Sequence, residues 1–508
     1  MSREDHQEPR AAVDSAFVGA EHEENLAIRG LAAAVRQRGW RAAIVPFNRD
    51  EDLESVAGSI LRLSPSLVGL SMAFQHRAGQ FLKLAAKLRA GNFKGHICAG
   101  GHFPTATSEE LLRRNPAVDT VVFHDGEEII VRLMEVLDDR KAWASVPSMA
   151  WRAEDGAIAR SGHAEAPRNL DLLPLPARDG SLRVHVGRSF TTLSGSRGCY
   201  GGCFFCAINC YNRSRPGPRL RFRSPESVAR EMAWLYHEKG ARIFCFHDDT
   251  WLLPSPKKTE QRLGLLAVRL GEMGVERIAT VAKCRPDALT GPLLRFLKER
   301  LGLVRLYVGV ENFSPAGLEH LGRGMDRETV EGGLALCREA DLYCCYNILL
   351  FEPDTVLDDV RENIRGMERF PGIPVNFSRT EAYNGTPIWA KLKREGRLQG
   401  NYLYAGYKIK DPAVEALFAI VSQAFKDRNF SADALANMNS SLGYEIAVLR
   451  FFAGGDGGET LADLSREVSA LNAAVNVDTL SRLKEALGFV EKGGWRDRRS
   501  MDEFTIDL

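Results

Sequence analysis

The chain has 508 residues, which at about 150 residues per domain allows two to four domains and more than one buried core. Its 67 Lys and Arg nearly balance its 66 Asp and Glu, so the net charge of +1 provides no broad field to gather nucleic acid or an anionic membrane. With 44% hydrophobic and 26% charged residues it is neither a disordered tail nor a fibre, and no apolar run reaches the roughly 18 residues of a membrane helix.

The N-terminus and the cysteines indicate a reducing compartment. MSREDHQEPR is polar, carries both charge signs and precedes no apolar segment, so it does not resemble a secretory signal, and we expect a cytoplasmic protein. In such a chain the ten cysteines are expected as reduced thiols or metal ligands. Seven are scattered and we interpret them as structural, although Cys210, in a polar loop, could be a further ligand: Cys98, Cys210, Cys245, Cys284, Cys337, Cys344 and Cys345.

The N-terminal part predicts a doubly wound α/β domain, because short apolar runs alternate with amphipathic helices from Asp14 to about Leu137. The candidate strands are Ala16 to Gly19, Ala42 to Phe47, Leu67 to Phe74, His96 to Gly100 and Thr120 to Phe123. Ligands of such sheets bind outside the carboxyl ends of the strands. The residues found there are Ser71, Gly100, Gly101, His102 and the segment from His124 to Glu128.

The chain changes character between Trp143 and Asp179, where an Asp155-Gly156 turn predicts a small hairpin and NLDLLPLPARD predicts a linker. Six further strands, separated by helices, indicate a partial β/α barrel: about Thr191 to Leu193, Arg242 to His247, Ile278 to Lys283, Val304 to Val310, Cys345 to Leu350 and Val375 to Arg379. Helical stretches follow at Ala413 to Lys426, Ala432 to Phe452 and Leu461 to Val490, with breaks such as GGDGG. We therefore predict a doubly wound domain over 1–145, a linker with a hairpin over 146–185, a partial (β/α)6 barrel over 186–395 and a helical domain over 396–508.

Three cysteines, Cys199, Cys203 and Cys206, stand in SRGCYGGCFFCAINC, directly after the first barrel strand. Such a loop reaches the active-site face of a barrel, and three thiolates suit a soft metal or an iron–sulfur cluster. Structural zinc is disfavoured because it prefers four protein ligands and no paired motif accompanies the triplet. The neighbouring glycines allow the loop to wrap a bulky cluster and offer N–H groups to its sulfides: Gly198, Gly201 and Gly202.

The C-x3-C-x2-C loop resembles that of the radical S-adenosylmethionine (SAM) superfamily, and Phe205 before the last cysteine also fits. The resemblance continues to about Trp389. It implies a [4Fe–4S] cluster on the three cysteines, with SAM chelating the fourth iron. It further implies an electron donor such as flavodoxin or ferredoxin, and cleavage of SAM to a 5′-deoxyadenosyl radical that abstracts hydrogen from an unactivated C–H bond.

The same resemblance implies SAM-binding residues at the strand ends. ARIFCFHDDTW matches the second strand, whose last residues contact the SAM amino group, and KCRPDAL matches the third. GVEN ends the fourth strand, and LGRGM follows it with an arginine at a position that holds the SAM amino acid moiety. The turn Phe351-Glu352-Pro353 departs from the commoner glycine-bearing pattern. The implied residues are Phe205, His247, Asp248, Asp249, Lys283, Glu311 and Arg323. The alternative for the charged residues among them is a solvated strand end, or for Arg323 a surface ion pair.

The N-terminal domain resembles the cobalamin-binding domain of the B12-binding radical SAM class. Ser71, Gly100-Gly101 and the turn from Asp125 to Glu128 look like the Ser-x-Leu, Gly-Gly and Gly-Glu-Gly-Glu elements of that class. Glycines after a strand allow a large flat ligand to approach the backbone. The implied contacts are Ser71, Gly100, Gly101, His102, Gly126 and Glu127; the alternative is a flavodoxin-like domain without cobalamin.

One departure from the B12 proteins concerns the lower axial ligand of cobalt. The Asp-x-His-x-x-Gly motif is missing, since the chain reads VGAEHEENLAIRG after the first strand and His22 lacks that spacing. We therefore expect cobalamin without a histidine ligand. A cobalt with no strong lower ligand gives up a methyl group more readily.

Together these features predict a cobalamin-dependent radical SAM methyltransferase that acts on an unactivated carbon of a small-molecule or peptide substrate. The alternatives are a cyclase or rearrangement enzyme with the same cofactors, a radical SAM enzyme without cobalamin, and an iron–sulfur redox sensor. The aromatic residues Tyr383, Trp389, Tyr402 and Tyr404 are candidates for a substrate wall, or for core. Nucleic acid and membrane partners are not expected.

Overall fold

The computed structural model describes residues 13–454 and 458–508. The N-terminal stretch MSREDHQEPR and the middle of the GGDGG break lie outside these residues. Among the described helices, none combines the length and the apolar character that crossing a bilayer requires.

The first sheet has seven strands in the order β2-β1-β3-β4-β5-β6-β7. Its first five strands pair in parallel, as the sequence predicts, and carry helices on both faces. The predicted hairpin forms and extends this sheet by pairing antiparallel with β5. The strands are β1 (Ser15–Gly19), β2 (Ala42–Pro46), β3 (Leu67–Ser71), β4 (His96–Gly100), β5 (Thr120–Val122), β6 (Met149–Arg152) and β7 (Ile158–Arg160); the helices are α1 (Leu26–Arg36), α2 (Leu53–Leu63), α3 (Gln75–Ala90), α4 (His102–Arg114) and α5 (Glu127–Glu135).

The second sheet holds the six predicted barrel strands in parallel, in the order β16-β15-β14-β13-β12-β9, with a short antiparallel strand β8 at its edge. The strands are β8 (Arg183–His185), β9 (Arg188–Leu193), β12 (Ala241–Phe246), β13 (Ala279–Cys284), β14 (Leu303–Glu311), β15 (Tyr343–Phe351) and β16 (Val375–Arg379). A separate two-stranded ribbon joins β10 (Ser196–Arg197) to β11 (Arg221–Phe222) at the base of the cysteine loop. The predicted partial β/α barrel is thus confirmed.

The helices around the barrel begin at polar caps. Ser224, Ser255, Thr290, Ser314 and Thr386 each accept a backbone N–H of the first turn and are followed by proline at the first or second helical position. The helices are α6 (Ala207–Arg213), α7 (Pro225–Glu238), α8 (Pro256–Glu272), α9 (Gly291–Leu301), α10 (Pro315–His320), α11 (Arg327–Glu339), α12 (Leu357–Glu368) and α13 (Pro387–Arg394). Cys210 lies in α6 and not in a loop as predicted.

The barrel strands are buried on one face and partly open on the other. On β14, Leu306, Val308 and Val310 are buried against the surrounding helices, whereas Arg305 and Tyr307 on the other face keep part of their surface. The same alternation appears on β12 and β13. The interior of the barrel is therefore open and lined by polar side chains.

The C-terminal part is helical, as predicted. It comprises a small hairpin, β17 (Leu398–Gly400) with β18 (Ala405–Tyr407), and the helices α14 (Pro412–Ala424), α15 (Leu435–Ala453), α16 (Gly458–Glu491) and α17 (Arg498–Asp507); the hairpin and α17 are not predicted from sequence. Tyr444 and Val448 of α15 pack against Ile243, Ala279 and Val304 of the barrel strands. Helix α15 thus closes the amino-terminal end of the barrel, and the predicted α/β fold class is confirmed.

Candidate functional site

The cysteine loop runs from β10 to α6, and Cys206 forms the N-cap of that helix. The Gly201 N–H donates to Cys199 Sγ at 3.3 Å. Gly198 has φ 89°, and a Cβ atom there would lie 1.8 Å from the Arg219 carbonyl oxygen, so this position requires glycine. Burial raises the pKa of Cys199, and that of Cys206 to about 12.

Two guanidinium groups face Cys203. Arg323 Nη1 lies 3.0 Å and Arg285 Nη1 3.6 Å from Cys203 Sγ, and Arg285 Nη2 donates to the Arg323 carbonyl oxygen at 2.8 Å. Arg323 is buried and donates to the Gly309 carbonyl oxygen, so it is not part of a surface ion pair. Positive charge at this position stabilises a buried thiolate.

The donor set fits an iron–sulfur cluster better than a single ion. Among the described residues, no three Cys, His, Asp or Glu side chains converge closely enough to hold one metal ion. The three thiols of Cys199, Cys203 and Cys206 are free, and glycines flank them. Thiolates spread along a glycine-rich loop suit a cluster whose irons are bound one by one.

The residues after β12 have three different surroundings. Asp248, expected at SAM, is 0% exposed. Its carboxylate accepts hydrogen bonds from the Gly195 N–H at 3.0 Å and from Ser196 Oγ, so it is engaged by the segment that leads into the cysteine loop. Burial raises its pKa to about 6. Asp249 is exposed and accepts the Gly198 N–H at 3.0 Å, while His247 Nε2 lies 2.8 Å from Glu23 Oε2.

Further along the same edge, Glu311 ends β14 with a left-handed φ of 67°. Burial raises the pKa of Glu311, against the effect of Arg323 and Arg285. A non-glycine residue in this conformation costs about 1–3 kcal/mol and is typical of functional sites. Lys283 is exposed on the inner face of β13, and Phe205 is partly buried.

The unusual turn after β15 is occupied by its own contacts. Glu352 is buried, accepts the Asp354 N–H at 2.8 Å and lies 2.8 Å from His320 Nδ1. The hydrogen bond to Glu352 raises the pKa of His320. The Glu352 carboxylate is therefore already hydrogen-bonded to groups of the protein itself.

The carboxyl edge of the first sheet forms a shallow backbone cradle at Ser71, Gly100 and Gly101. Gly101 has φ 111°, and a Cβ atom there would lie 2.9 Å from the Met72 carbonyl group. A Cβ at Gly100 would approach nothing closer than 3.7 Å, the distance to the Val122 carbonyl oxygen. The edge thus presents bare backbone at Gly100, while glycine at position 101 is required by the neighbouring Met72 carbonyl group.

Tyr211, which the sequence does not single out, packs on two histidines of this edge. Its ring lies 4.3 Å from His102 and 4.9 Å from His124, measured between centroids. His124 is 5% exposed, has φ 61°, and neither ring nitrogen has a hydrogen-bond partner in the described chain. Burial lowers the pKa of His124 to about 3, so its ring is neutral.

Asp125 and Glu127 join the first sheet to the base of the cysteine loop. Asp125 pairs with Arg197 at 2.9 Å, with Arg215 at 2.8 Å and with Arg221 at 2.6 Å. Glu127, expected at the cobalamin, is buried and pairs with Arg197 at 2.5 Å. Gly126 remains partly exposed beside them.

A second junction is made by Glu24. Its carboxylate accepts the Thr191 hydroxyl at 2.6 Å and the Thr192 N–H at 3.0 Å, and it pairs with Arg178 at 2.8 Å. Arg178 comes from the predicted linker and also pairs with Glu231 at 2.7 Å. Glu24, one of the acidic residues that follow β1, makes this contact between the two domains. The only sequence signal for it is the position of these acidic residues at the end of a strand.

Two of the four aromatic candidates for a substrate wall contact the first domain instead. Asn115 Nδ2 donates to Tyr402 Oη at 2.7 Å, and Tyr402 stacks on Phe103 with centroids 6.0 Å apart. Tyr404 lies against Gly79, where a Cβ atom would come within 2.6 Å of its hydroxyl. Trp389 packs partly buried against the barrel core, and Tyr383 is half-buried.

Comparisons with known proteins agree with this geometry. Residues 18–134 match the B12 binding domain family and residues 193–365 match the radical SAM superfamily. An uncharacterized methyltransferase of Pyrococcus horikoshii is 24% identical over 369 residues, which are 72% of this chain and 77% of that protein. The anaerobic magnesium-protoporphyrin IX monomethyl ester cyclase of Synechocystis sp. is 24% identical over 250 residues, 48% of each protein.

Solved structures with the same fold include OxsB, a cobalamin-dependent S-adenosylmethionine radical enzyme with aqua-cobalamin bound. It has a TM-score of 0.66 at 15% identity and covers 98% of this chain and 84% of its own. TsrM from Kitasatospora setae, a radical S-adenosylmethionine methyltransferase with cobalamin and a [4Fe-4S] cluster, has a TM-score of 0.62 at 16% identity and covers 76% of this chain and 77% of its own.

Proposed function

The chain belongs to the B12-binding radical SAM proteins, and we propose that it is a cobalamin-dependent methyltransferase acting on an unactivated carbon of a small-molecule or peptide substrate. The observation that carries the proposal is the junction between Asp125 and Arg197, which is two residues before Cys199. It holds the carboxyl edge of the B12-type sheet against the base of the cysteine loop. Two cofactors bound at these two places would face one shared space.

The proposed cluster ligands are Cys199, Cys203 and Cys206, supported by the guanidiniums of Arg285 and Arg323. Asp249, Lys283 and Glu311 are the proposed SAM contacts, because they lie at the carboxyl ends of neighbouring strands. The side chains of Asp249 and Lys283 are exposed there, and Glu311 is half-buried. Asp248 supports the loop from behind. His247, held by Glu23, lies next to this group.

The proposed cobalamin contacts are Ser71, Gly100, Gly101, His102 and Gly126. The open backbone at Gly100 supports this assignment, since even a Cβ atom there would meet only the Val122 carbonyl oxygen, at 3.7 Å. We propose that no histidine binds the lower face of cobalt. His102 and His124 pack on Tyr211, and His22 is exposed with its Nε2 3.3 Å from the Asn48 carbonyl oxygen.

When bound, the cluster with SAM supplies a 5′-deoxyadenosyl radical and cobalamin supplies a methyl group. The chain's own residues position these groups, because the ion pairs of Asp125 and Glu24 hold the two sheets together. Helix α15 limits the access of water to the barrel interior, since it closes the end opposite the cysteine loop. Phe204, exposed beside Cys203, marks the surface at which we place a flavodoxin or ferredoxin as electron donor.

A second candidate function is cyclisation, favoured by the similarity of three magnesium-protoporphyrin cyclases to this chain. One experiment separates the two. The protein, reconstituted with iron, sulfide and hydroxocobalamin under anaerobic conditions, is reduced in the presence of SAM, and the two nucleoside products are quantified. Methyl donation yields S-adenosylhomocysteine in addition to 5′-deoxyadenosine; 5′-deoxyadenosine alone would contradict the methyltransferase and favour the cyclase.

A further inference from the structure

Two cations on the inner face of the barrel, Lys283 and Arg305, interact with one acid, Glu23 of the first domain, without forming an ion pair with it. Lys283 of β13 pairs in register with Tyr307 of β14, and Val281 pairs with Arg305, so the two cations occupy adjacent steps of neighbouring strands. Within the described chain, the Arg305 guanidinium donates only to Cys345 Sγ, at 3.3 Å. Neither cation lies within ion-pair distance of a described carboxylate. Burial of Arg305 without a carboxylate costs free energy unless a ligand anion balances it.

A third polar group at the same place also lacks a partner. Tyr444 of α15 is 7% exposed, and its hydroxyl makes no hydrogen bond in the described chain. The Arg305 guanidinium lies over its ring, 5.0 Å from the centroid. On the other side the ring stacks on His185 at 4.8 Å and 12°, so its position is well defined. A buried hydroxyl without an acceptor costs about 1–3 kcal/mol.

The helix that carries Tyr444 is fitted closely to the barrel. A Cβ atom at Gly443 would come within 2.5 Å of the Tyr343 ring, so glycine allows α15 to approach. Glu23, from the first domain, is the nearby acid. Its hydrogen bond to His247 chiefly lowers its pKa, which Lys283 and Arg305 lower further. The positive charges of Lys283 and Arg305 are therefore opposed by one carboxylate, that of Glu23, which is already hydrogen-bonded to His247.

We infer that this floor of the barrel recognises an oxyanion of the substrate, a carboxylate or a phosphate, through Arg305 and the Tyr444 hydroxyl, whereas Lys283, nearer the carboxyl end of β13, stays with the proposed SAM contacts. The inference rests on the proposed function, because it takes the barrel interior as the substrate chamber. Arg305 precedes Glu311 by six residues on β14, which at about 3.3 Å per residue separates them by roughly 20 Å. The anion would anchor the far end of the substrate and leave its other end near the cysteine loop.

The test is a calorimetric titration of the full-length, cluster-loaded protein with inorganic phosphate and, separately, with acetate. We expect saturable binding of at least one probe, and the tighter of the two identifies the anion. Arg305→Gln is expected to weaken binding roughly 10- to 100-fold, because a charge-assisted hydrogen bond is lost. Tyr444→Phe removes one neutral donor and is expected to weaken it about 2- to 10-fold. Arg242→Gln is the matched control, since Arg242 lies on β12 and donates to the Tyr236 carbonyl oxygen.

Absence of saturable binding by both probes, or equal binding by wild type and Arg305→Gln, would overturn the inference. If Arg305→Gln does not fold, as judged by circular dichroism, Tyr444→Phe and Arg305→Lys carry the comparison. Formation of 5′-deoxyadenosine is measured in the same wild-type preparation. Its absence counts against the proposed function, whereas the anion titration is judged on binding alone, so the two failures are distinguishable.

Discussion

Asp125 Oδ1 lies 2.9 Å from Arg197 Nη1, which joins the last parallel strand of the first sheet to the residue two places before Cys199. Burial alone would raise the pKa of Asp125, but the guanidiniums of Arg197, Arg215 and Arg221 outweigh it and hold the pKa well below its usual range. Asp125 therefore links the B12-type sheet to the cysteine loop, together with Glu127, which pairs with the same Arg197.

Replacing this carboxylate tests the link. Asp125→Asn leaves the buried guanidiniums of Arg215 and Arg221 without a carboxylate, while Arg197 keeps Glu127, and is expected to destabilise the protein by about 3–5 kcal/mol. Glu128→Gln is the control, because Glu128 pairs with Arg132 on the exposed face of α5 and its loss should cost less than about 0.5 kcal/mol. Urea unfolding of both variants measures the difference; equal stabilities would contradict a structural role for Asp125.

Arg323 is expected to stabilise the cluster through Cys203. Arg323→Gln removes the guanidinium 3.0 Å from Cys203 Sγ, and loss of such an outer partner typically weakens metal binding about 10- to 100-fold. Iron content after anaerobic desalting against a chelator measures the effect. Arg230→Gln is the control, since Arg230 is exposed on α7, away from the cysteine loop. Iron retention equal to that of the wild type would show that Arg323 does not support the cluster.

The space around two helical glycines predicts opposite effects of their substitution by alanine: Gly443 lies where α15 approaches the barrel, and Gly488 lies in open space on α16. Gly443→Ala places a Cβ atom 2.5 Å from the Tyr343 ring and is expected to cost about 1–3 kcal/mol. Gly488→Ala, in α16, meets no atom within 4 Å and is expected to stabilise by about 0.5–1 kcal/mol. Thermal unfolding of the two variants is the measurement, and a stabilising Gly443→Ala would mean that α15 is not seated as described.

Buried histidines predict a loss of stability in mild acid. Burial lowers the pKa of His96 to about 4, whereas an unfolded histidine has a pKa of about 6.5. Below pH 6.5 the unfolded chain binds a proton that the native chain does not, so this stability is complete above pH 6.5 and is lost as the pH falls to about 4.

Urea unfolding at pH 7 and pH 5 measures this dependence. His96→Gln, which can keep a hydrogen bond to the Thr120 hydroxyl now 2.8 Å from His96 Nε2, should reduce the difference between the two pH values by about 1–2 kcal/mol. His22→Gln, at an exposed ring, is the control. An unchanged difference in His96→Gln would exclude His96 as a source of the acid sensitivity.

The sequence predicts the parallel strands of both sheets and the cysteine loop because these depend on local periodicity and spacing. Glycine at position 101 is required by its φ of 111° and by the Met72 carbonyl group, a contact that the sequence alone does not reveal. The motif places Glu127 at the cobalamin but does not reveal its partner Arg197, which lies 70 residues away in the sequence.

Contacts between distant segments account for the rest. Tyr211 follows Cys206 by five residues, yet only the packing of α6 on α4 places it against His102. Arg305 and Tyr444 meet because α15 closes the barrel, and no pattern in either segment signals that contact. Asp248 matches its predicted position but is satisfied by backbone and hydroxyl donors of the adjacent loop.

The central claim is that this chain uses SAM at the cysteine loop together with cobalamin on the first sheet. The most direct measurement is anaerobic reconstitution with iron, sulfide and hydroxocobalamin, followed by gel filtration, absorbance of the corrin and quantification of 5′-deoxyadenosine after reduction with SAM. The wild type should retain the corrin and form 5′-deoxyadenosine, whereas Cys203→Ala should retain the corrin but lose the cluster absorbance and the product. A wild type that loses the corrin, or that forms no more 5′-deoxyadenosine than Cys203→Ala, would contradict the claim.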